Sequence, residues 1–317
     1  MIGRWDARPD LVMVDGARRP DFFIVGAPKC GTTSLHRWLV GHPDIFMPVR
    51  PKEPMFFSND QLAHSGMLYP ADLPRYLALF AAAGRVRRVG EASTTYLEAP
   101  EAAGRIHEFN PEARVIAMLR DPVEMIASLH SMRVSQGLEH IADLPTALAD
   151  ERHRPGFGVV GDQSSIRYRD RTRFATMLRP WFDVFASERV KVIVLEDVAA
   201  QPAVEFQRTL QFLEVDPAYS PQSFARHNER EWPRSLFLAR VQARFRGRGL
   251  RDGARDRLAG RAYHLLGRLN RVRGVEPRPM PDDLRRQLRD ELGPDVDALS
   301  RLLGRDMRQV WWHGDAA

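Results

Sequence analysis

Residues 22–34 read Phe-Phe-Ile-Val-Gly-Ala-Pro-Lys-Cys-Gly-Thr-Thr-Ser. An apolar run, a turn punctuated by Gly26, Pro28 and Gly31, and a hydroxyl-rich opening to an amphipathic stretch spell strand, loop and helix. Such a turn aims backbone N–H groups and the positive end of a helix at one point, which suits an anion such as a phosphate. The loop holds Lys29, one of three lysines (Lys29, Lys52, Lys191) in a chain with 44 arginines. Where any positive charge would serve, this composition supplies Arg. A Lys inside the loop therefore points to a task for a compact ammonium rather than a planar guanidinium.

Outward from this stretch, short β-rich runs alternate with helical patterns. Arg87–Glu91 reads as a second strand and Ala113–Leu119 as a third, ending at Arg120-Asp121-Pro122. There Asp121 has the place of an N-cap and Pro122 that of the first helical residue, with the helix running from about Val123 to Ser135. Val190–Leu195 reads as a fourth strand. Further helices are expected at Thr32–Gly41, Ile166–Ala186, Pro202–Leu213 and Pro281–Leu303, the last interrupted at Gly293-Pro294. The alternation predicts an α/β fold, P-loop-like and three-layered, with a central mostly parallel sheet flanked by helices. The ligand site then falls at the C-terminal ends of the strands. The expected organisation is a single domain over residues 1–317, with residues 1–20 as an extension and 244–281 as a basic insertion. Ala142–Asp162, rich in His, Pro and Gly, reads as a loop over the site.

An apolar content of 44% over 317 residues is ample for a core, and the formal net charge of +6 suggests an anionic ligand, substrate or surface. No helix-turn-helix, zinc-finger or ribonucleoprotein pattern accompanies that charge, so nucleic acid is not the expected partner. No apolar stretch approaches membrane-spanning length, and Met1–Asp21 lacks the apolar core of a signal peptide, so a cytoplasmic location is expected. A single cysteine, Cys30, excludes an intramolecular disulfide and argues against structural zinc. Near a helix N-terminus its thiol pKa would be expected to fall. Arg244 to Arg273 contains ten arginines with apolar residues interleaved. Such a segment can lie on an anionic membrane or grip an acidic acceptor over the site, or is a solvated helix face. The oligomeric state is left open.

Gly26 to Gly31 has the spacing of a nucleotide triphosphatase loop, but Thr32-Thr33 stand where those enzymes need Lys-[Ser/Thr]. No strand ends in the lone Asp that would hold Mg²⁺ in such an enzyme. Instead, Pro28-Lys-Cys-Gly-Thr-Thr-Ser34 resembles the 5′-phosphosulfate loop of sulfotransferases that use 3′-phosphoadenosine 5′-phosphosulfate (PAPS). The resemblance implies that Lys29 contacts the sulfonate and bridging oxygen, with Cys30, Gly31, Thr32, Thr33 and Ser34 around the 5′-phosphate. Leu119-Arg-Asp-Pro-Val-Glu-Met-Ile-Ala-Ser128 resembles the family's 3′-phosphate motif, implying that Arg120 and Ser128 hold that group. A guanidinium forking onto a phosphate suits this role physically. Two such motifs in order, each at a strand-to-helix turn, make coincidence improbable.

Pro51-Lys-Glu-Pro-Met-Phe-Phe57 resembles the Lys-Glu-Pro-x-Phe-Phe segment of glycosaminoglycan-type sulfotransferases and their bacterial relatives. This implies Glu53 as the base for the acceptor hydroxyl and Lys52 beside the sulfonate. His130, two residues past Ser128, is a further catalytic candidate. Gly90-Glu-Ala-Ser-Thr-Thr-Tyr96 is similar to the segment lining the family's acceptor cleft, which makes Glu91, Thr94 and Tyr96 candidate acceptor contacts. The family's late Lys-Gly loop is missing, and Arg226, Arg230 or Arg234 could supply its charge. The resemblance implies sulfuryl transfer from PAPS to a hydroxyl of a small-molecule, carbohydrate or lipid acceptor, leaving adenosine 3′,5′-bisphosphate, with no metal required. A metal-dependent P-loop phosphotransferase and a non-enzymatic anion- or membrane-binding protein are the alternatives.

Overall fold

The computed structural model describes residues 18–58, 72–154, 167–225, 231–243, 265–273 and 279–312. Five strands, β1 (Phe22–Gly26), β2 (Ile45–Phe46), β3 (Arg88–Ala92), β4 (Arg114–Leu119) and β5 (Val190–Val194), form one parallel sheet in the order β2-β3-β1-β4-β5. The central strand β1 is wholly buried, as its unbroken apolar run requires of a strand covered on both faces. A two-stranded antiparallel ribbon, β6 (Glu231–Pro233) with β7 (Arg271–Arg273), stands apart from it.

The helices used below are α1 (Thr32–Val40), α2 (Leu73–Ala78), α3 (Ala102–Phe109), α4 (Pro122–Ser135), α5 (Leu144–Asp150), α6 (Phe174–Val184), α7 (Leu195–Ala200), α8 (Pro202–Phe212), α9 (Leu236–Ala243), α10 (Asp282–Leu303) and α11 (Met307–Trp312). The chain leaves β1 for one side of the sheet and crosses back from β3 to β4 on the other. With right-handed crossovers this puts α1 on one face and α3, α4 and α6 on the opposite one. On the first face, Trp38 of α1 meets Phe206 of α8 edge to face, with ring centroids 6.0 Å apart. Because the order reverses at β1, the turns after β1 and β4 lie side by side at the strand C-terminal ends. That is where a doubly wound sheet places its ligand.

Three expectations change. Ile166–Ala186 is not one helix: among its described residues, Asp170–Thr172 form a 3₁₀ turn and the α-helix begins at Phe174. The Glu151 carboxylate accepts the Tyr168 N–H at 2.7 Å, and the Tyr168 hydroxyl donates to Glu139 at 2.7 Å, which pins this stretch outside helical geometry. The expected break at Gly293-Pro294 is absent, and α10 runs through Pro294. The proline removes one backbone bond, but buried Leu288, Leu292, Val296 and Leu299 hold the helix on both sides of it. Finally, Ala142–Asp162 is not loop throughout, since α5 occupies part of it with Asp143 as N-cap. Of the basic segment 244–281, only 265–273 and 279–281 are among the described residues. No helix among the described residues is long and apolar enough to cross a membrane.

Candidate active site

The turn after β1 is built to stay open. Gly31 is the N-cap of α1, with φ 90° in the left-handed region, and a Cβ there would come within 2.9 Å of a Leu195 methyl. Glycine therefore satisfies both the backbone angle and the close approach of α7. Lacking a side chain, Gly31 caps nothing, and the first turn of α1 has no acidic residue. The Ser34 N–H turns back to the Gly31 carbonyl at 2.9 Å, but the N–H groups ahead of it at a helix start have no intrahelical acceptor, so this turn leaves donors and a positive helix end available. Lys29 in the same turn also has positive φ, 67°. Cys30 points the other way: its Sγ lies 3.8 Å from Met125 Sδ of α4 and 3.5 Å from the Pro28 carbonyl. Burial pushes its thiol pKa up, the opposite of the expected fall, because the side chain faces the core rather than the helix N-terminus.

The neighbouring turn, after β4, is tied to the first. The Ala27 N–H donates to the Met118 carbonyl at 2.8 Å, and Arg120 Nη1 donates to the Lys29 carbonyl at 3.3 Å. Arg120 Nε is buried without a hydrogen-bond partner, and Nη2 stands 3.9 Å from Glu124, which accepts from Arg285 of α10 at 2.7 Å. Ser128 lies buried further along α4. Asp121 caps this helix by accepting the Val123 N–H at 2.8 Å. Its own N–H donates to Glu196 at 3.1 Å, and Glu196 in turn accepts from the Trp311 indole at 3.1 Å. The Trp312 indole reaches Asp121 at 3.4 Å. The C-terminal helix thus braces the Arg120 turn from behind. The sequence reading missed Glu196, although its place directly after β5 was the available signal.

The third group gathers at the opening of α1. Lys52 Nζ donates to the Thr33 hydroxyl at 3.1 Å and to Glu53 Oε1 at 3.0 Å. The other Glu53 oxygen accepts from the Thr94 hydroxyl at 2.9 Å and its N–H at 3.4 Å. Side chains 52 and 53 are 20% and 25% exposed, enough to meet a ligand and enough protein contact to hold an orientation. A cation, a carboxylate and an uncapped helix opening therefore converge in one place.

Other candidates fall elsewhere. Glu91 is fully buried, accepting from Ser93 at 2.6 Å and from the Tyr76 hydroxyl. Burial pushes its carboxyl up to about 7, against those hydrogen bonds. Tyr96 is also fully buried, its hydroxyl accepting the Phe57 N–H at 3.3 Å. Both side chains are enclosed by protein, whereas Thr94 and Thr95 between them are half-buried. His130 turns away from the two strand ends: Nε2 meets the Ile141 carbonyl at 2.9 Å, its ring lies against Tyr168, and burial pushes its pKa down. Arg226 and Arg230 lie outside the described residues. Arg234 is exposed, its N–H donating to the Asn270 carbonyl in the β6–β7 ribbon, which packs against α4. Among the described residues no cluster of His, Cys, Asp and Glu could hold a metal ion.

Residues 19–230 match the family described as Sulfotransferase domain. The chain belongs to that family. Its sulfotransferase sequence is 26% identical over 255 residues to carbohydrate sulfotransferase 15 of Mus musculus, covering 64% of this chain and 45% of that protein. Against heparan sulfate glucosamine 3-O-sulfotransferase 3A1 of Mus musculus it is 26% identical over 226 residues, or 70% of this chain and 53% of that protein. The chain spans about half the length of the curated relatives it matches. A crystal structure of a sulfotransferase from Alicyclobacillus acidocaldarius superposes with TM-score 0.68 at 28% identity, covering 91% of this chain and 97% of that one. The five-stranded parallel sheet flanked by helices is thus the P-loop-like fold of this family.

Proposed function

We propose that this sulfotransferase moves a sulfuryl group from PAPS to an acceptor hydroxyl. The observation that carries the reading is Lys52, which bridges the Thr33 hydroxyl at the α1 opening and the Glu53 carboxylate. One cation so joins the anion-binding turn to a proton acceptor. The donor fits this chain's residues on two grounds: α1 has no side-chain cap and no acid in its first turn, and Arg120 keeps a buried Nε without an acceptor. The α1 opening with Thr32, Thr33 and Ser34 would hold the 5′-phosphate, and Arg120 with Ser128 the 3′-phosphate. When bound, the donor supplies a sulfuryl group whose bond to the 5′-phosphate oxygen breaks as one to the acceptor oxygen forms. Glu53 takes the acceptor's proton, its two oxygens being held by Lys52 and Thr94. Lys29 and Lys52 place positive charge where negative charge gathers during transfer. The names of the two mouse relatives favour a carbohydrate as the acceptor.

A ligand that binds only the native state raises its stability with concentration. Thermal unfolding is therefore compared with adenosine 3′,5′-bisphosphate, AMP, and ATP with Mg²⁺. The bisphosphate is expected to stabilise most, and Glu53→Gln to bind it normally while losing transfer by about 100-fold or more. Stabilisation by ATP with Mg²⁺, without preference for the 3′-phosphate, would favour a phosphotransferase instead.

A further inference from the structure

The segment after β3 is joined to the Glu53 segment side chain by side chain. Ser93 Oγ accepts the Met55 N–H at 2.9 Å, Thr94 holds Glu53, Thr95 and Ser58 share a hydroxyl hydrogen bond at 2.9 Å, and Tyr96 accepts the Phe57 N–H. Four consecutive residues, 93–96, thus meet four positions between 53 and 58. Beneath them the buried Glu91 carboxylate ties down Ser93 and Tyr76. Of its own the Glu53 segment makes one short 3₁₀ turn, Phe56–Ser58, with the Ser58 N–H donating to the Met55 carbonyl at 3.2 Å, and Met55 has φ 54°, which a non-glycine residue keeps only when its surroundings impose it. Beyond that single turn, the conformation of the segment is set from outside, by the turn after β3.

Within that arrangement Thr94 alone reaches the functional carboxylate. Its hydroxyl and N–H both address Oε2, while Lys52 addresses Oε1. A carboxylate swinging on its side-chain torsions presents a hydroxyl with many orientations, and one clamped at both oxygens presents few. We propose that Thr94 is a positioning residue that fixes the Glu53 carboxylate in the orientation that receives the acceptor proton. The inference rests on the reading of Glu53 as the base. It gives Thr94 a task distinct from touching the acceptor, since its hydroxyl proton is already committed to Glu53.

The test uses the full chain with water as acceptor, following release of adenosine 3′,5′-bisphosphate from PAPS. Thr94→Val keeps the shape and removes the hydroxyl, while Thr94→Ser keeps the hydroxyl. The valine variant is expected to lower kcat about tenfold or more, with the KM for PAPS unchanged within about twofold, since uniform donor binding is untouched. Serine should restore most of the loss, and the valine effect should vanish in a Glu53→Gln background. In the absence of ligand, urea unfolding of the parent, the two single variants and the double variant of that cycle should be non-additive, which reads the Thr94–Glu53 contact without any turnover. A valine variant with normal kcat, a serine variant as slow as valine, or an additive unfolding cycle each overturns the proposal. Normal turnover in Glu53→Gln overturns the reading of the base itself, and so the two failures are distinguishable.

Discussion

The turns after β1 and β4 lie side by side, and each runs from a buried strand straight into a helix, yet they treat the helix start in opposite ways. At α4 the chain supplies its own capping carboxylate, Asp121, a proline at the first position and an acid, Glu124, in the first turn. At α1 the cap is a glycine in the left-handed conformation, and the first turn holds hydroxyls and no acid. The α2 and α5 helices follow the α4 pattern, with Asp72 and Asp143 as caps. A helix start that is closed by its own side chain is stable by itself, whereas one left open draws its stabilisation from something bound. The comparison also separates two ways of holding a phosphate. The α1 turn offers backbone donors and helix polarity, while the α4 turn, its N–H groups already engaged, offers only side chains such as Arg120.

The largest effect should come from making α1 resemble α4. Thr33→Asp puts a carboxylate in the open first turn and should weaken adenosine 3′,5′-bisphosphate binding by about 100-fold or more, measured by isothermal titration. If binding survives with near-normal affinity, the α1 opening is not the anion site. Next comes the side-chain half: Arg120→Ala should cost about 10- to 100-fold in affinity for the bisphosphate and little for AMP. An equal loss for both ligands would detach Arg120 from the 3′-phosphate. The smallest effect is expected for opening the closed turn. Asp121→Ala should cost about 1–2 kcal/mol in urea unfolding, as loss of an N-cap does. An Asp121 variant as stable as the parent would show that the capping contrast carries no energy.

This contrast was partly legible in the sequence. Gly31 before three hydroxyls and Asp121-Pro122 after a strand are local signals, read by composition and spacing, and the parallel strands stand where the apolar runs put them. What remained hidden depended on contacts between distant segments. β3 is covered on both faces, so no alternation tells that Glu91 points inward and that Thr94 reaches Glu53. The aromatic spacing of Ile166–Ala186 marks core, but it cannot reveal that carboxylates 139 and 151, one on each side of α5, take the hydrogen bonds of Tyr168. Pro294 carries a strong local stop signal, and buried leucines on both sides override it. His130 stands two residues from Ser128 along the chain, which on a helix turns it to a different face.

The buried Glu91 also gives folding a proton-uptake component, of the same sign as that of Asp21 and opposed by the buried His36. Burial raises the Glu91 carboxyl from 4.5 to about 7, so between those values the native chain retains a proton that the unfolded chain has released. Its contribution to stability is full below about 4.5 and declines as the pH rises toward 7. Neutralising the site permanently with Glu91→Gln should remove that component, seen as a rise of the urea midpoint at pH 7 relative to that at pH 5 when set against the parent; an unaltered difference would assign it to other groups. Because Ser93 and Tyr76 both donate to Glu91, the ionised carboxylate keeps its ties beneath the residues that hold Glu53, and the cost of raising the pH is one of burial alone.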